Sequence, residues 1–151
     1  MREAIGTQTV FKTILIFTFL FSGFIAVAIT YNKAYKIKNE VINILEKYEG
    51  VNSQSLTIIN NYLDNSGYVA KNRCEEGEYG VIDLTNSKYE LSNSNKLYFY
   101  CLSSEVKRNQ IFYKIKLFSR FNLPFVGDLF YFKITGETKG IKLYTENQKL
   151  K

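Results

Sequence analysis

The chain has 151 residues, 20 Lys and Arg against 14 Asp and Glu, a formal net charge of +6, and neither histidine nor tryptophan. The missing histidine excludes Ser/His/Asp and Cys/His nucleophile systems and the H-E-x-x-H zinc site, and two cysteines are too few for a four-ligand zinc site unless carboxylates or a second chain contribute. With 12 Tyr and 12 Phe the chain is too aromatic for a disordered tail, and setting aside about 30 apolar N-terminal residues leaves one compact domain.

Residues 1–9, MREAIGTQT, form a short polar head. The next segment, 10–30, contains VFKTILIFTFLFSGFIAVAI from Val10 to Ile29, uncharged from Thr13 onward. At about 1.5 Å per residue, some 20 residues of helix cross the roughly 30 Å of a bilayer's hydrocarbon, and Lys12 can snorkel from its edge. The expected lipid-facing residues are Ile14, Leu15, Ile16, Phe17, Phe19, Leu20, Phe21, Phe24, Ile25, Val27 and Ile29. Ser22, Gly23 and Ala26 are small enough to admit a neighbouring helix.

Ala26-Val27-Ala28 also fits a signal-peptide cleavage box, and cleavage there would release a secreted module able to bind a ligand. Against cleavage, Ala34, Ile37, Val41, Ile44, Leu45 and Tyr48 continue the helical period, with Lys33, Lys36, Asn39, Asn43 and Lys47 on the other face. The economical reading is a retained anchor running into a domain helix that ends near Gly50. Lysines flank both ends of the span, so the expected orientation, N-terminus cytoplasmic and domain extracytoplasmic, rests on the cysteines.

The domain, 31–144, continues with a second helix capped by Asn52 or Ser53 and ending at Asp64 or Asn65, with Leu56, Ile59 and Leu63 on one face. A turn-rich connection, YVAKNRCEEGEYG, carries Cys74. Paired with Cys101, it would close a loop of about 28 residues if that side of the membrane is oxidising. Glu75, Glu76, Glu78 and Asp83 lack EF-hand spacing and read as a solvated acidic loop rather than a calcium site.

From Tyr79 the period becomes two. Strands are expected at 80–84, 88–91, 96–102 and 110–121, with turns at 85–87, 92–95 and 122–127. A further strand, 128–135, should end at Gly136, followed by an edge strand at 141–144 and a frayed tail, 145–151. The central run KLYFYCL sets Leu97, Phe99 and Cys101 against Tyr98, Tyr100 and Leu102, apolar enough to be covered on both faces. Ile111, Tyr113, Ile115 and Leu117 oppose Phe112, Lys114, Lys116 and Arg120, a strand with one dry and one wet face. Tyr98, Tyr100 and Phe112 are candidates for a partner surface if a sheet face is open. The fold class is α+β, with the helices packed on an antiparallel sheet of four to five strands. Basic residues are spread along the chain without a nucleic-acid motif, no phosphate-cradling glycine loop occurs, and the sequence points to no catalytic residue, metal or cofactor.

An apolar N-terminal span (Val10 to Ile29) continuing as a helix (Tyr31 to Glu49), onto which a sheet folds (Lys96 to Thr135), resembles the layout of type IV pilin-like proteins. It is especially similar to the small tight-adherence (TadE-like) minor pilins and to small membrane-anchored proteins of Gram-positive bacteria. Pilins are processed after a Gly and keep a Glu at the fifth mature position; here Gly6 is followed at that spacing by Phe11. The resemblance implies a non-catalytic structural or assembly subunit of a bacterial surface or secretion apparatus, with the bilayer and other membrane or pilin-like subunits as partners.

Overall fold

Helix α1 (Arg2–Lys47) is one unbroken helix of 46 residues, about 70 Å long at 1.5 Å per residue. In the computed structural model, residues 2–85, 88–92, 95–123 and 127–142 are described, with side chains over 8–120 outside those gaps and over 131–142. The helix passes without a break through both expected boundaries, at residues 9/10 and 30/31, so the polar head is its first two turns. Its last turns bury Ala34, Ile37, Val41, Ile44 and Leu45, a stripe at three- and four-residue steps facing the sheet. Val41 and Leu45 have no exposed surface, and burying each contributes about 2 kcal/mol relative to water. At the helix end, Gly50 adopts φ +119° and its N–H donates to Leu45 O at 2.8 Å. A Cβ there would lie 2.7 Å from the Tyr113 ring, so conformation and packing both require glycine.

Helix α2 (Ser53–Asn65) is capped by Asn52, whose side chain accepts from Ser55 N–H while Ser55 returns an acceptor to the Asn52 N–H. This reciprocal box satisfies two backbone donors that the helix itself leaves open. Leu56, Ile59 and Leu63 are buried as their spacing implies, and the Asn60 side chain, also buried, accepts a hydrogen bond from Tyr100 Oη at 2.7 Å. The helix thus packs on both α1 and the sheet.

Among the described residues, six strands form one antiparallel sheet: β1 (Tyr79–Asp83), β2 (Lys88–Leu91), β3 (Tyr100–Lys107), β4 (Gln110–Leu123), β5 (Gly127–Glu137) and β6 (Ile141–Lys142). The order is β2-β1-β3-β4-β5, with β6 beside the start of β4 at Gln110 and Ile111. This is the expected α+β architecture, with β6 at the start of the edge strand expected over 141–144. β3 and β4 are joined by Arg108 and Asn109, both at positive φ, the two-residue turn whose twist matches a right-handed ribbon.

Several strand limits differ from expectation. β3 begins four residues later than the apolar run and continues through Ser103, Ser104 and Glu105, because each of these pairs with β4 whatever its own polarity. β5 does not stop at Gly136: a Cβ there would meet Ile42 Cδ1 at 2.4 Å, so this glycine marks close approach to α1. The alternation expected in KLYFYCL is broken at Phe99. Tyr98 stacks over Gly80 and reaches Glu90 with its hydroxyl, on the outer face, whereas Tyr100 points inward to α2. The irregular step lets both rings, each 0% exposed, bury on opposite sides. The turns expected at 85–87, 92–95 and 122–127, the end of the 141–144 strand and the 145–151 tail lie partly or wholly outside the described residues.

The core sits between the helices and the inner face of β1, β3 and β4, with Ile111, Tyr113, Ile115 and Leu117 all buried. On the outer face a smaller cluster of Ala70, Cys101 and Phe118 is roofed by Tyr68 and Cys74. β3 is covered on both sides where it carries Cys101 and Leu102, as its sequence implies.

Candidate functional site

The site-forming part of the molecule is α1 together with the end of the sheet at which it leaves the domain. All eleven expected lipid-facing residues are exposed within the chain, from 40% for Val27 to 74% for Phe24. Large apolar side chains left uncovered over this length need a non-aqueous neighbour. α1 contains a stretch long and apolar enough to cross a membrane, none of it buried inside the domain. Its threonines return their hydroxyls to the helix: Thr13 donates to Thr9 O at 3.0 Å and Thr18 to Ile14 O at 2.8 Å, which removes polar groups that hydrocarbon would leave unpaired. Ser22, Gly23 and Ala26 lie on this uncovered part, and nothing stands within 4 Å of a Cβ built at Gly23.

Where the helix enters the domain, a cleft of ≈ 340 Å³ opens between α1, the 67–70 segment and strands β4 and β5. Ile29 and Ile134 line its apolar wall, and Lys33 and Arg120 add two cations. Beside it Tyr31 stacks on Phe132, ring centroids 6.4 Å apart, and on Tyr35 at 6.5 Å. The sequence marked Lys33 and Arg120 only as members of polar faces; their approach depends on where β4 docks against α1, which local periodicity does not encode.

Cys74 and Cys101 form the expected disulfide, Cα atoms 5.6 Å apart and 27 residues apart in sequence. It pins the 68–78 segment across the outer face. The acidic loop that this holds is not simply solvated. Lys116 Nζ lies 2.6 Å from Glu78 Oε1 and 2.8 Å from Glu75 Oε2, and Lys133 reaches Glu75 at 3.4 Å. Hydrogen bonds from Lys116 and then Lys133 hold the Glu75 carboxyl below its usual pKa. For Lys116, burial alone would lower the ammonium's pKa, and Glu75 and Glu78 more than reverse this, leaving it raised. The Cys74 and Cys101 sulfurs and a Glu78 carboxylate oxygen cluster within 4.8 Å. With the sulfurs bonded to each other and Glu78 held by Lys116, that cluster presents no open ligand set.

The partner-surface candidates divide differently from expectation. Tyr98 and Tyr100 are fully buried, Tyr98 packed over Gly80 with its hydroxyl on Glu90 and Tyr100 against Asn60 of α2, so neither ring is offered to a partner. Phe112 is half-buried, close to Gly140. A residue that pattern reading passed over is Tyr68. Its hydroxyl donates to Phe99 O at 2.9 Å and accepts from Phe118 N–H at 2.7 Å, replacing a backbone rung where β3 has not yet begun; burial pushes its pKa well up, against the opposing backbone hydrogen bond. Comparison with known protein families, curated proteins and solved structures finds no match to this chain.

Proposed function

We propose that this chain is a non-catalytic single-pass membrane protein, anchored by Val10 to Ile29, whose extracytoplasmic α+β domain serves as a pilin-like structural or assembly subunit at a bacterial surface or secretion apparatus. One observation carries the reading: a single helix exposes its large apolar side chains over its first part and buries an apolar stripe in the sheet over its last turns. The helix that carries Ala26-Val27-Ala28 runs on without a break into the turns that bury Ala34, Ile37 and Val41, which supports a retained anchor over a cleaved leader. The disulfide supports an oxidising side for the domain. Support for a structural role comes from the titratable groups: the clustered carboxylates are engaged by lysines rather than poised for proton transfer, and no histidine exists.

Helix-to-helix contact between copies or neighbours would run along Ser22, Gly23 and Ala26. The test is a Ser22→Cys variant treated with a short bis-maleimide in intact membranes, together with N-terminal sequencing of the mature chain. Crosslinked dimers or hetero-adducts are expected, with the apolar span retained. Monomer alone across several linker lengths would refute the subunit reading, and a mature start at Ile29 would replace it with a secreted binding module.

A further inference from the structure

We infer that the cleft where α1 enters the domain holds one anionic phospholipid drawn from the adjoining leaflet; this rests on α1 being a membrane anchor. The cleft has two kinds of wall. Ile29, Val69, Leu117 and Ile134 supply apolar surface, while Lys33 and Arg120 are cationic, and among the described residues no carboxylate lines it. A ligand that satisfies both walls carries negative charge at one end and hydrocarbon at the other. At ≈ 340 Å³ the space lies near the lower end of small-molecule sites, about 300–1,000 Å³, which suits part of one amphiphile rather than a folded partner.

Its height along α1 fits a lipid. The cleft starts at Ile29 and Thr30, where the apolar span ends, and follows the helix past Lys33 and Ala34 to Ile37, about 12 Å in all. When Val10 to Ile29 fills the hydrocarbon, Lys33 stands about 6 Å beyond its edge, inside a headgroup layer about 5–7 Å deep. Tyr31, stacked on Phe132 and on Tyr35, brings aromatic rings to the level at which they gather in membrane proteins. A phosphate held at Lys33 leaves its acyl chain to run back along Ile29, itself 63% exposed, into the leaflet.

The polar groups of the cleft point to the same ligand. Lys96, Lys107, Lys114, Lys116, Lys133 and Lys139 each meet a glutamate, whereas Lys33 meets none among the described residues. Thr30 donates its hydroxyl to Ala26 O at 2.9 Å, and the Tyr68 hydroxyl is committed to Phe99 O and Phe118 N–H. Recognition of an anion therefore falls chiefly to the cations, as in basic lipid-headgroup pockets at membrane surfaces.

The full chain in a neutral detergent is titrated with phosphatidylglycerol or phosphatidylcholine, and adducts are counted by native mass spectrometry. One phosphatidylglycerol per chain is expected, held more tightly than phosphatidylcholine. Lys33→Gln should weaken it about five-fold, and Val69→Glu, which sets a carboxylate at an exposed position of the wall, should weaken it further. Lys36→Gln removes the same charge from an exposed position outside the cleft and should leave binding unchanged. An equal loss in Lys36→Gln, or equal binding of the two lipids, overturns the site. Displacement of the lipid by millimolar inorganic phosphate overturns it in favour of a plain anion site. Vesicles holding the same chain are washed with alkaline carbonate to report the anchor independently. A chain that stays in the washed vesicles yet shows no preference for phosphatidylglycerol overturns the lipid cleft and leaves the anchor standing; a chain that washes out overturns both.

Discussion

Removing one oxygen atom, in Tyr68→Phe, tests how the sheet ends. The Tyr68 hydroxyl occupies the place of a missing strand residue, donating to Phe99 O and accepting from Phe118 N–H. Phe118 is 3% exposed, so its N–H has little route to water once the oxygen is gone. An unsatisfied buried donor costs about 1–3 kcal/mol. Phe99, half-buried, can recover part of its bond from solvent. The expected loss is about 2 kcal/mol, the ring itself being retained, and for a domain of this size that lowers the melting midpoint by about 8 °C. Urea and thermal unfolding of the full chain in detergent, followed by circular dichroism, measure the total. Hydrogen exchange at the Phe118 amide reads the local effect. A variant within about 0.5 kcal/mol of the parent, or a Phe118 amide that exchanges no faster, would show that the hydroxyl does not carry the rung.

Three further outcomes are expected. Replacing both Cys74 and Cys101 by Ala should cost about 3–4 kcal/mol in the chain-entropy account of a loop of this length, read as a lower urea midpoint, and reductant should reproduce it in the parent. Gly80→Ala places a Cβ 2.1 Å from Tyr98 Cδ1; the ring must leave its site over β1, at about 1–3 kcal/mol, and loss of the Tyr98 to Glu90 hydrogen bond should appear as a changed near-ultraviolet tyrosine signal. The Glu75 carboxyl has a folded pKa below its usual value, so its contribution is present above the unfolded pKa and is lost as pH falls through the folded one. Lys116, with a raised folded pKa, contributes below its usual pKa and loses that contribution as pH rises through the folded value. Lys116→Met should flatten both limbs of the stability–pH profile, and an unchanged acid limb would refute the pairing.

Elements with a strong period are legible in the amino-acid order itself. The stripe Ala34, Ile37, Val41, Ile44 and Leu45, the face Leu56, Ile59 and Leu63, and the alternation along Ile111 to Leu117 each state their own geometry, since one side of the element must be dry. Long-range register is not legible in the same way. Nothing local to Phe99 announces that the strand misses a beat there and sends Tyr98 and Tyr100 to opposite faces. Nothing near Ser103 shows that β4 will pair with it. The Lys116 cluster escapes for the same reason: its lysine and its glutamates are some 40 residues apart, and only strand order and the disulfide bring them together. The apolar span is visible from composition; the cleft at its foot is not, because Lys33 and Arg120 come to line one cleft only once β4 docks on α1.

The continuity of α1 has a rotational consequence. Between the exposed apolar run and the buried stripe that begins at Ala34 lies no glycine, proline or other joint. The sheet is keyed to the helix at one end, and the face that carries Ser22, Gly23 and Ala26 is keyed to it at the other. Each residue turns the helix by about 100° and lengthens it by 1.5 Å. Deleting a single residue between Ile29 and Ala34 would therefore swing the entire sheet about a third of a turn relative to the small-residue face while shifting it by only the width of an atom. Residues 30–33 act as a phase setting: their number, more than their identity, decides which side of the domain faces a neighbour that grips the other end of the rod.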